Sequence, residues 1–475
     1  MMGDIDDDND DLDDMEAVGD EVAVIGKYHT EYEMDRAREG RASCAIHECV
    51  FLDDARLLCT FARKFNVDEQ DKHGNTALHV ACMLGKKELV HLLLSHGSSP
   101  TIRNLNGWSP LAEAISYGDR QTISSMLRKV NILSHNRRDS FMPKLAKVLN
   151  GMEDFCLNFK WDFQSWVPLV SRILPSDVCR LRKKGSNIRL DTTLVDFDDK
   201  RWVRGDLSIF FFGEKPTSHS LAIVDNNMGV FQWIQYTGDT DRNHEEEVDF
   251  LMSTDIVNAH ISTKHMHFTR LQKGWLFRED RSEPVGNYNS DFYTIHGITF
   301  KTSKRREHLS KEDVQKNKMV YDWFMKDGPA LPDEYGQPPP IRKSLPPPPK
   351  SNVTWREYIS AEPGKHPILG RPIICKETSK AYRATVAMTP DFPMSVDMLL
   401  NVLQAIAPLK HYSRLRDIIG VKLPPGFPVQ IDVPIIPTIS AKVTFLDFQF
   451  TNDLREEDFK IPAEYLEDRG RFPRL

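Results

Sequence analysis

His260, His265 and His267 are the residues of this chain whose type and spacing come nearest to a metal site. His265 and His267 would share one face of a strand, where two imidazole nitrogens could ligate zinc. However, no carboxylate or cysteine stands at ligand spacing beside them, and the thioether of Met266 is a poor zinc ligand. We therefore interpret all three as ordinary strand histidines and predict no metal site.

Other patterns that would support catalysis are missing from the sequence. It has no glycine-rich phosphate loop, no Gly-x-Ser-x-Gly nucleophile elbow and no His-Glu-x-x-His pair. The 7 cysteines are scattered without Cys-x-x-Cys spacing, which is typical of core thiols in a reducing compartment. The basic triplet Lys304-Arg305-Arg306 is followed at once by Glu307, so we interpret it as the solvated approach to a helix. We predict a protein that is not an enzyme and binds no cofactor.

Charge is distributed unevenly along the chain. The formal net charge of -7 lies mostly in Asp4 to Asp14, a self-repelling stretch that predicts a disordered acidic tail and connector over residues 1–40. The remainder is close to neutral and gives no reason to expect nucleic acid. No basic n-region opens the chain, and the longest apolar runs, 207–212 and 433–439, are too short to span a bilayer. Membrane association is therefore expected to be peripheral or through a partner.

A repeated motif organises the region that follows the tail. Gly74–Ala81 recurs as Gly107–Ala114 after about 33 residues, which is the ankyrin period. Each copy follows a turn tetrapeptide that starts with Asp or Asn and ends with Gly, and each has a hydroxyl residue where its first helix should begin. Ser43–Cys49 fits a degenerate copy one period upstream. The pattern predicts about three ankyrin repeats, a helical solenoid, over residues 41–133.

The periodicity changes further along the chain. From residue 140 to 181 we interpret it as helical, which predicts a helical connector over residues 134–182 that packs on the repeats. After Arg182 apolar and polar residues alternate between turn signals, which is typical of an antiparallel meander. Predicted strands lie at 188–195, 207–212, 220–224, 230–235, 261–269, 275–278, 291–302, 382–388, 430–433 and 440–450.

The predicted fold is therefore α+β and multidomain, with an N-terminal ankyrin-repeat solenoid followed by a mainly antiparallel β domain with flanking helices. The β-rich domain is expected to cover residues 183–475, with helices beginning near Ser310 and spanning 395–407. The acidic triplet Glu245-Glu246-Glu247 is interpreted as a loop, and residues 328–352 as a proline-rich linker.

Two groups of residues are candidate binding sites. Ankyrin arrays bind partners through turn tips and the inner helix face, which here offer Lys72, His73, Asn75, Leu105, Asn106 and Trp108. An exposed Trp108 would suit a binding hot spot and a buried one would be packing, and the sequence leaves both open. His79 is expected to be structural, because its ring can bond the Thr76 hydroxyl and nearby backbone.

The second group lies in the proline-rich linker. Lys343, Pro346 and Pro349 fit the basic-x-x-Pro-x-x-Pro spacing of ligands for aromatic-groove modules. The simpler interpretation, which we prefer, is a stiff and exposed polyproline II insertion.

Long motifs give the sequence a family resemblance. From about Ser43 to its C-terminus the chain resembles the ankyrin repeat domain 13 family, and within it the C-type branch. The motifs that carry the resemblance, besides the repeats, are Lys160–Val170, Ile173–Asp177, Asn187–Leu194, Arg204–Ser208, Gly274–Asp280, Leu423–Val429 and Arg471–Pro473.

The resemblance implies a function. It implies a non-enzymatic chaperone or adaptor, cytoplasmic and peripheral on the endoplasmic reticulum membrane, that binds immature G-protein-coupled receptors through their cytosolic segments. Such a protein would regulate receptor biogenesis, exit and turnover. Sister members of the family carry ubiquitin-interacting motifs near the C-terminus. Tyr465–Gly470 is no such helix, so we expect no ubiquitin-interacting motif here.

Two other classes of function remain open. The protein could be a general trafficking or signalling scaffold that recruits an aromatic-groove module through its prolines. It could also be a β-barrel that binds a small apolar ligand, which would require an enclosed apolar cavity of several hundred cubic ångströms, on the order of ordinary ligand pockets.

Overall fold

The computed structural model describes residues 44–165, 174–198, 201–234, 241–274, 278–326, 341–406, 423–436 and 439–472. Contacts between residues group the chain into two compact units. Among the described residues, the first unit takes in the stretches 44–129, 248–254 and 307–373. The second unit takes in the stretches 130–247, 255–306 and 374–475, less the gaps given above.

Ten α-helices are found in the described parts of the chain. In order they are α1 (Ala45–Leu52), α2 (Ala55–Ala62), α3 (Ala77–Leu84), α4 (Lys87–Ser95), α5 (Pro110–Tyr117), α6 (Arg120–Asn150), α7 (Asp241–Ser253), α8 (Lys311–Lys326), α9 (Trp355–Ser360) and α10 (Val396–Ile406). The helices α1 to α5 and the start of α6 form three successive helix pairs, so the predicted repeats are confirmed. None of the helices in the described ranges has the length and apolar character needed to cross a bilayer.

The repeats are held in register by the buried ring of His79. Its Nδ1 accepts a hydrogen bond from the backbone N–H of Thr76 at 2.9 Å and lies 2.9 Å from the Thr76 hydroxyl. The proton is therefore on Nε2, which donates to the carbonyl oxygen of Trp108 in the next repeat at 3.0 Å. The predicted structural role of His79 is confirmed. Burial lowers the pKa of this ring to about 4, which keeps it neutral near pH 7.

The strands belong to the second unit. They are β1 (Phe155–Ser165), β2 (Ser176–Lys184), β3 (Asn187–Asp198), β4 (Arg201–Phe211), β5 (Leu221–Asp225), β6 (Val230–Trp233), β7 (Ile256–Ser262), β8 (His267–Arg270), β9 (Gln272–Lys273), β10 (Glu279–Asp280), β11 (Ser282–Val285), β12 (Tyr288–Arg305), β13 (Cys375–Thr389), β14 (Phe427–Ile436), β15 (Ile439–Phe450) and β16 (Leu466–Glu467). The α+β fold class is thus confirmed.

Most strands form one sheet in the order β11-β12-β13-β14-β15-β1-β2-β3-β4-β5-β6-β16, with β7 and β8 also paired to β12. All pairings are antiparallel except the short parallel contact of β16 with β6. The strands β9 and β10 pair separately. No pairing between described strands joins β11 to β16, so the path has two ends and the closed barrel of the apolar-ligand alternative is not found in these strands.

One face of this sheet carries an aromatic core. Phe392 stacks on Phe427 with ring centroids 4.3 Å apart, and Phe445 and Phe448 pack beside them. Apolar residues of α6 and α10 complete the cluster, including Leu149, which is fully buried. Large aromatic groups removed from water in this way supply much of the stabilisation of a sheet–helix layer.

The helical prediction is wrong for residues 155–165 and 176–181, because β1 and β2 lie there. Residues 166–173 of the predicted helical connector lie outside the described residues. In β1 the residues Phe155, Leu157 and Phe159 alternate with polar residues, so the true period is two, as in any strand with one buried face. The prediction of an acidic loop at Glu245–Glu247 is also wrong, because these residues lie within α7. Val248 and Met252 are buried and form the apolar side of this helix. Three consecutive glutamates just before them made the segment look uniformly polar in the sequence.

Other predictions differ from the structure or lie outside it. Contacts group residues 307–373 with the repeats rather than with the sheet, so the compact units do not follow the predicted boundary at residue 183. Residues 341–352 have no regular secondary structure. The predicted tail (1–40), the strand residues 275–277 and the linker residues 328–340 lie outside the described residues.

Candidate partner-binding surface of the repeats

The two turn tips of the repeats have the same construction. Asp71 Oδ1 accepts hydrogen bonds from the backbone N–H groups of His73 (2.8 Å) and Asn75 (2.9 Å). Asn104 Oδ1 accepts from those of Asn106 (3.1 Å) and Trp108 (2.9 Å). An Asx side chain that bonds its own turn is the reason this residue type stands first in each tetrapeptide. Asn104 Nδ2 also donates to Asn75 Oδ1 at 2.9 Å, which links one tip to the next.

The predicted partner-binding residues divide by exposure. Lys72, Leu105 and Asn106 are exposed, and Leu105 keeps 63% of its surface in contact with solvent. His73, Asn75 and Trp108 are buried. At 5% exposure, Trp108 is a packing residue, which resolves the alternative that the sequence left open. The partner-binding role of the group as a whole stays a prediction.

A segment far along the chain covers these tips, and Tyr358 is its central residue. The Tyr358 hydroxyl donates to Asp71 Oδ2 at 2.5 Å and accepts from Asn75 Nδ2 at 2.9 Å. The side chain is fully buried. Burial, together with the nearby Asp71 carboxylate, raises the pKa of the Tyr358 phenol well above its usual range. The hydroxyl therefore stays protonated and acts as a donor to the aspartate.

His73 binds the main chain of the same segment. Its Nδ1 accepts a hydrogen bond from the backbone N–H of Gly364 at 3.1 Å, so its proton is on Nε2. The Nε2–H group donates to the carbonyl oxygen of Tyr358 at 3.0 Å. Burial lowers the pKa of His73, which favours this neutral tautomer. The His73 ring thus forms hydrogen bonds to two main-chain groups of the segment that covers the tips.

Aromatic rings complete the contact. Trp355 lies with its ring centroid 5.5 Å from that of Phe51 and 6.4 Å from that of His47, both on α1. Phe51 also packs against Tyr358, with ring centroids 5.1 Å apart. His47 and Phe51 of the first repeat, which we call the aromatic floor, therefore pack against α9.

Helix α9 was missed in the sequence although a local signal was present. Thr354 and Glu357 form a capping box: Thr354 Oγ1 accepts from the Glu357 N–H at 3.3 Å, and the Glu357 carboxylate accepts from the Thr354 N–H at 2.8 Å. A Thr-x-x-Glu pair before an aromatic helix face is a known helix start. The prolines just before it indicate a linker, and the sequence analysis therefore predicts no helix here.

Contacts on either side of α9 fasten the segment to the later repeats. Asn106 Nδ2 donates to the Gly364 carbonyl oxygen at 3.0 Å. The Arg371 guanidinium donates to the Tyr117 carbonyl oxygen at 3.2 Å. On the N-terminal side, the Leu345 N–H donates to the Gly118 carbonyl oxygen at 2.8 Å.

The proline-rich stretch is anchored by its arginine. Arg342 forms a two-bond ion pair with Asp313 of α8, and its backbone N–H donates to Asp249 Oδ1 of α7 at 2.7 Å. Lys343, Pro346 and Pro349 are exposed. Their role as a ligand for aromatic-groove modules stays a prediction.

The second unit has an open groove of about 910 Å³. The Lys215 ammonium group lies 4.0 Å from the ring centroid of Phe212 and 4.8 Å from that of Trp233. Desolvation lowers the pKa of Lys215. Because the groove is open and is lined by charged as well as aromatic residues, it is not the enclosed apolar cavity that the ligand-binding alternative requires.

Of the three histidines considered for a metal site, His265 lies in the turn between β7 and β8, so the prediction that it shares a strand face with His267 is wrong. His260 is on β7, His267 is on β8, and the His267 ring stacks on that of His296 with centroids 5.0 Å apart. In the described part of the chain no three His, Cys, Asp or Glu side chains are grouped as a metal site would need.

Comparison with known proteins accounts for both units. The family described as ANKRD13 C-terminal matches residues 189–469, which is more than half of the chain, and ankyrin repeats (3 copies) match residues 46–138. The chain belongs to the ankyrin repeat domain 13 family. In this chain the match to the repeats precedes the match to the C-terminal family, in the same order as the helix pairs and the strands β3 to β16.

Individual relatives agree with this assignment. Ankyrin repeat domain-containing protein 13C of Homo sapiens is 50% identical over 430 residues, covering 90% of this chain and 79% of that protein. The Mus musculus protein of the same name is 51% identical with the same coverage. Ankyrin repeat domain-containing protein 13B of Mus musculus is 30% identical over 403 residues, covering 81% of this chain and 64% of that protein. The similarity is thus greater to these C-type members of the ankyrin repeat domain 13 family.

Proposed function

We propose that the protein is a non-enzymatic chaperone or adaptor that binds immature G-protein-coupled receptors through their cytosolic segments. It acts from the cytoplasm, peripherally on the endoplasmic reticulum membrane, and regulates receptor biogenesis, exit and turnover. Membership of the ankyrin repeat domain 13 family and similarity to its C-type members support this proposal. Ankyrin repeats, which make up much of the first unit, are protein-interaction modules.

The observation that carries the proposal is the way the turn tips hold a polypeptide. His73 bonds a carbonyl oxygen and an N–H group of another stretch of main chain, while Asp71 and Asn75 bond a tyrosine hydroxyl. These are the interactions needed to recognise an exposed segment of an unfinished protein, because main-chain groups are common to all sequences and aromatic anchors provide affinity. A cytosolic receptor segment is a partner of this kind.

Co-precipitation of a newly made receptor with the full chain tests the proposal. We compare the wild type with Leu105→Asp, which places a charge on the exposed tip without disturbing the repeat core. The matched control is Met228→Asp, because Met228 is equally exposed, at 63%, and lies in the second unit. We expect Leu105→Asp to lower receptor recovery severalfold and Met228→Asp to leave it unchanged. If the wild type retains no immature receptor, or if receptor levels at the cell surface are the same with and without the protein, the proposal fails.

Exposure of Lys343, Pro346 and Pro349 favours a second candidate function, that of a trafficking or signalling scaffold. A polyproline segment offers these side chains to an aromatic groove at small entropic cost. Replacing Pro346 and Pro349 together by alanine should remove proteins with aromatic-groove modules from the set that co-purifies with the full chain. An unchanged set of partners would exclude this function.

A further inference from the structure

Residues 354–364, which we call the covering segment, lie where a bound peptide would lie on an ankyrin array. We propose that the covering segment is an internal ligand of the repeats, and that a partner enters by displacing it with a tyrosine-bearing turn or helix of the same chemistry. The inference rests on the proposed function only in taking the turn tips as the receptor-binding surface. It adds that this surface is occupied when no partner is present.

The covering segment contacts all three repeats in turn. Trp355 packs on Phe51 of the first repeat, Tyr358 bonds Asp71 of the second, and Gly364 accepts from Asn106 of the third. A structural brace could use any one of these positions. A segment that runs along successive tips and satisfies a side chain or main-chain group at each of them has the arrangement of a ligand.

The contact can open without unfolding the repeats. The groups that Tyr358 satisfies, Asp71 and Asn75, are polar, so water can replace the phenol when the covering segment leaves. The apolar residues that hold the helices together, such as Leu78 and Leu93, belong to the repeats themselves and are fully buried there. Opening therefore exchanges protein hydrogen bonds for hydrogen bonds to water and uncovers mainly the aromatic floor.

Anchors on both sides keep the covering segment close when it is released. Leu345 is bonded to Gly118 and Arg371 to Tyr117, so the segment is tethered at each end to the first unit. Short tethers give an effective concentration on the order of millimolar. A partner at micromolar concentration therefore competes only if it binds better than the covering segment or arrives at high local concentration.

The geometry specifies the chemistry of the partner. It must place an aromatic ring three residues before a tyrosine, as Trp355 stands before Tyr358, and must offer the tyrosine carbonyl oxygen to His73. The tyrosine must be unphosphorylated, because Asp71 Oδ2 lies only 2.5 Å from the phenol oxygen. A phosphate there would meet a carboxylate of like charge.

A fluorescent synthetic peptide of residues 352–366, titrated with the full chain, tests the inference by fluorescence anisotropy. We expect the peptide to bind Tyr358→Ala at least tenfold more tightly than it binds the wild type, because the variant leaves the surface vacant. Thr354→Ala disrupts the α9 capping box without changing the repeats, and it should give an intermediate affinity. The control Tyr382→Phe, in the second unit, should bind as the wild type does. The same peptide phosphorylated on its tyrosine should bind none of these proteins.

Equal affinity for the wild type and both opened variants would overturn the inference, since the surface would not be covered. Absence of binding to variants whose circular dichroism and thermal unfolding show a folded protein would also overturn it. The two proposals fail separately. If the receptor does not co-precipitate but the peptide still binds the opened variants more tightly than the wild type, only the proposed function is removed. If the receptor co-precipitates but the peptide shows no such difference in affinity, only the inference is removed.

Discussion

At the scale of single residues, the first unit depends on a chain of four polar side chains. Asn104 donates to Asn75, Asn75 donates to Tyr358, and Tyr358 donates to Asp71, with distances of 2.9, 2.9 and 2.5 Å. All four side chains are buried. A buried polar network stabilises a structure only when each member has its partners. Removal of one member therefore leaves its neighbour without a hydrogen-bond partner.

Tyr358→Phe removes the hydroxyl while keeping the ring. We expect it to lower the free energy of unfolding of the first unit by about 1 to 3 kcal/mol, because Asp71 Oδ2 and Asn75 Nδ2 then lose a buried partner. Chemical denaturation followed by intrinsic fluorescence measures the change. Tyr382→Phe, a half-buried tyrosine on β13, should change the value by less than about 0.5 kcal/mol. Equal values for the two variants would contradict the network.

His79 predicts how stability depends on pH. Its pKa is lowered by burial from 6.5 to about 4, so between these values the unfolded chain binds a proton that the folded chain does not. Stability must then fall as pH falls, by roughly 2 kcal/mol from pH 7 to pH 5 for this residue alone. His47 and His73, whose pKa values burial also lowers, add in the same direction.

Denaturation of the wild type and of His79→Gln at pH 7 and pH 5 measures the contribution of His79. The variant cannot titrate at this position, so its loss of stability over that interval should be smaller. Asp119, whose pKa lies below its ordinary 3.8, titrates outside the interval and does not confuse the comparison. A wild type that is as stable at pH 5 as at pH 7 would contradict the assignment of neutral buried histidines.

The role of His79 could be predicted from the sequence because its partners are local or one repeat away. Its Thr76 partner is 3 residues away and its Trp108 partner is 29 residues away, within a repeat period that the sequence shows directly. Asp71 was recognised as a turn residue for the same reason. Its second bond, to a residue 287 positions away, has no periodic signal in the sequence.

At the scale of elements, the close approach of successive turn tips is the feature that most constrains the sequence. Gly74 has φ +74°, and a Cβ added there would lie 2.7 Å from the backbone nitrogen of Leu105 in the next tip. Gly97 has φ +97° at the end of another repeat helix but has nothing within 4 Å of such a Cβ. Substitution of Gly97 therefore tests the cost of the backbone conformation alone, whereas substitution of Gly74 tests that cost together with the cost of crowding.

Gly97→Ala should lower the free energy of unfolding by about 1 kcal/mol, which is the cost of a left-handed conformation for an alanine. Gly74→Ala should cost about 1 to 3 kcal/mol more, because the tips must also move apart. The difference between the two variants, measured by chemical denaturation, reports the packing of one tip on the next. Equal costs would show that the tips are free to separate.

Most elements were predictable where one period ran without interruption, as in β15 or α4. The strand β1 was missed because its leucine and aromatic residues also fit a helical spacing, and the pairing with β15 that decides the matter joins positions such as Phe155 and Phe450. The helix α9 has only 6 residues, and its propensity alone would not hold it in water. It exists because Trp355 and Tyr358 pack on the repeats.

At the scale of the whole molecule, the first unit is assembled from three separate stretches of chain. Residues 248–254 and 307–373 join the repeats although long strands intervene in the sequence. The Asp249 and Asp313 side chains meet around Arg342, a contact among positions up to 93 residues apart. Domain boundaries drawn from composition and periodicity follow the order of the chain, so they could not show this assembly.

A fragment of residues 41–133 tests how far the repeats depend on the later stretches. We expect it to unfold at a lower denaturant concentration than the repeats of the full chain do, because Asp71, His73 and the aromatic floor lose their cover. Adding the synthetic peptide of residues 352–366 at about a hundred times its dissociation constant should restore about 2.7 kcal/mol. A fragment whose unfolding midpoint ignores the peptide would contradict this dependence.

The separation of 287 residues between Asp71 and Tyr358 also has a consequence for synthesis on the ribosome. Translation at about 5 to 20 residues per second leaves roughly 15 to 60 s between the appearance of Asp71 and that of Tyr358. During this interval the nascent repeats can fold while the residues that cover them do not yet exist. Every newly made molecule therefore passes once through a state in which its turn tips are open to other polypeptides.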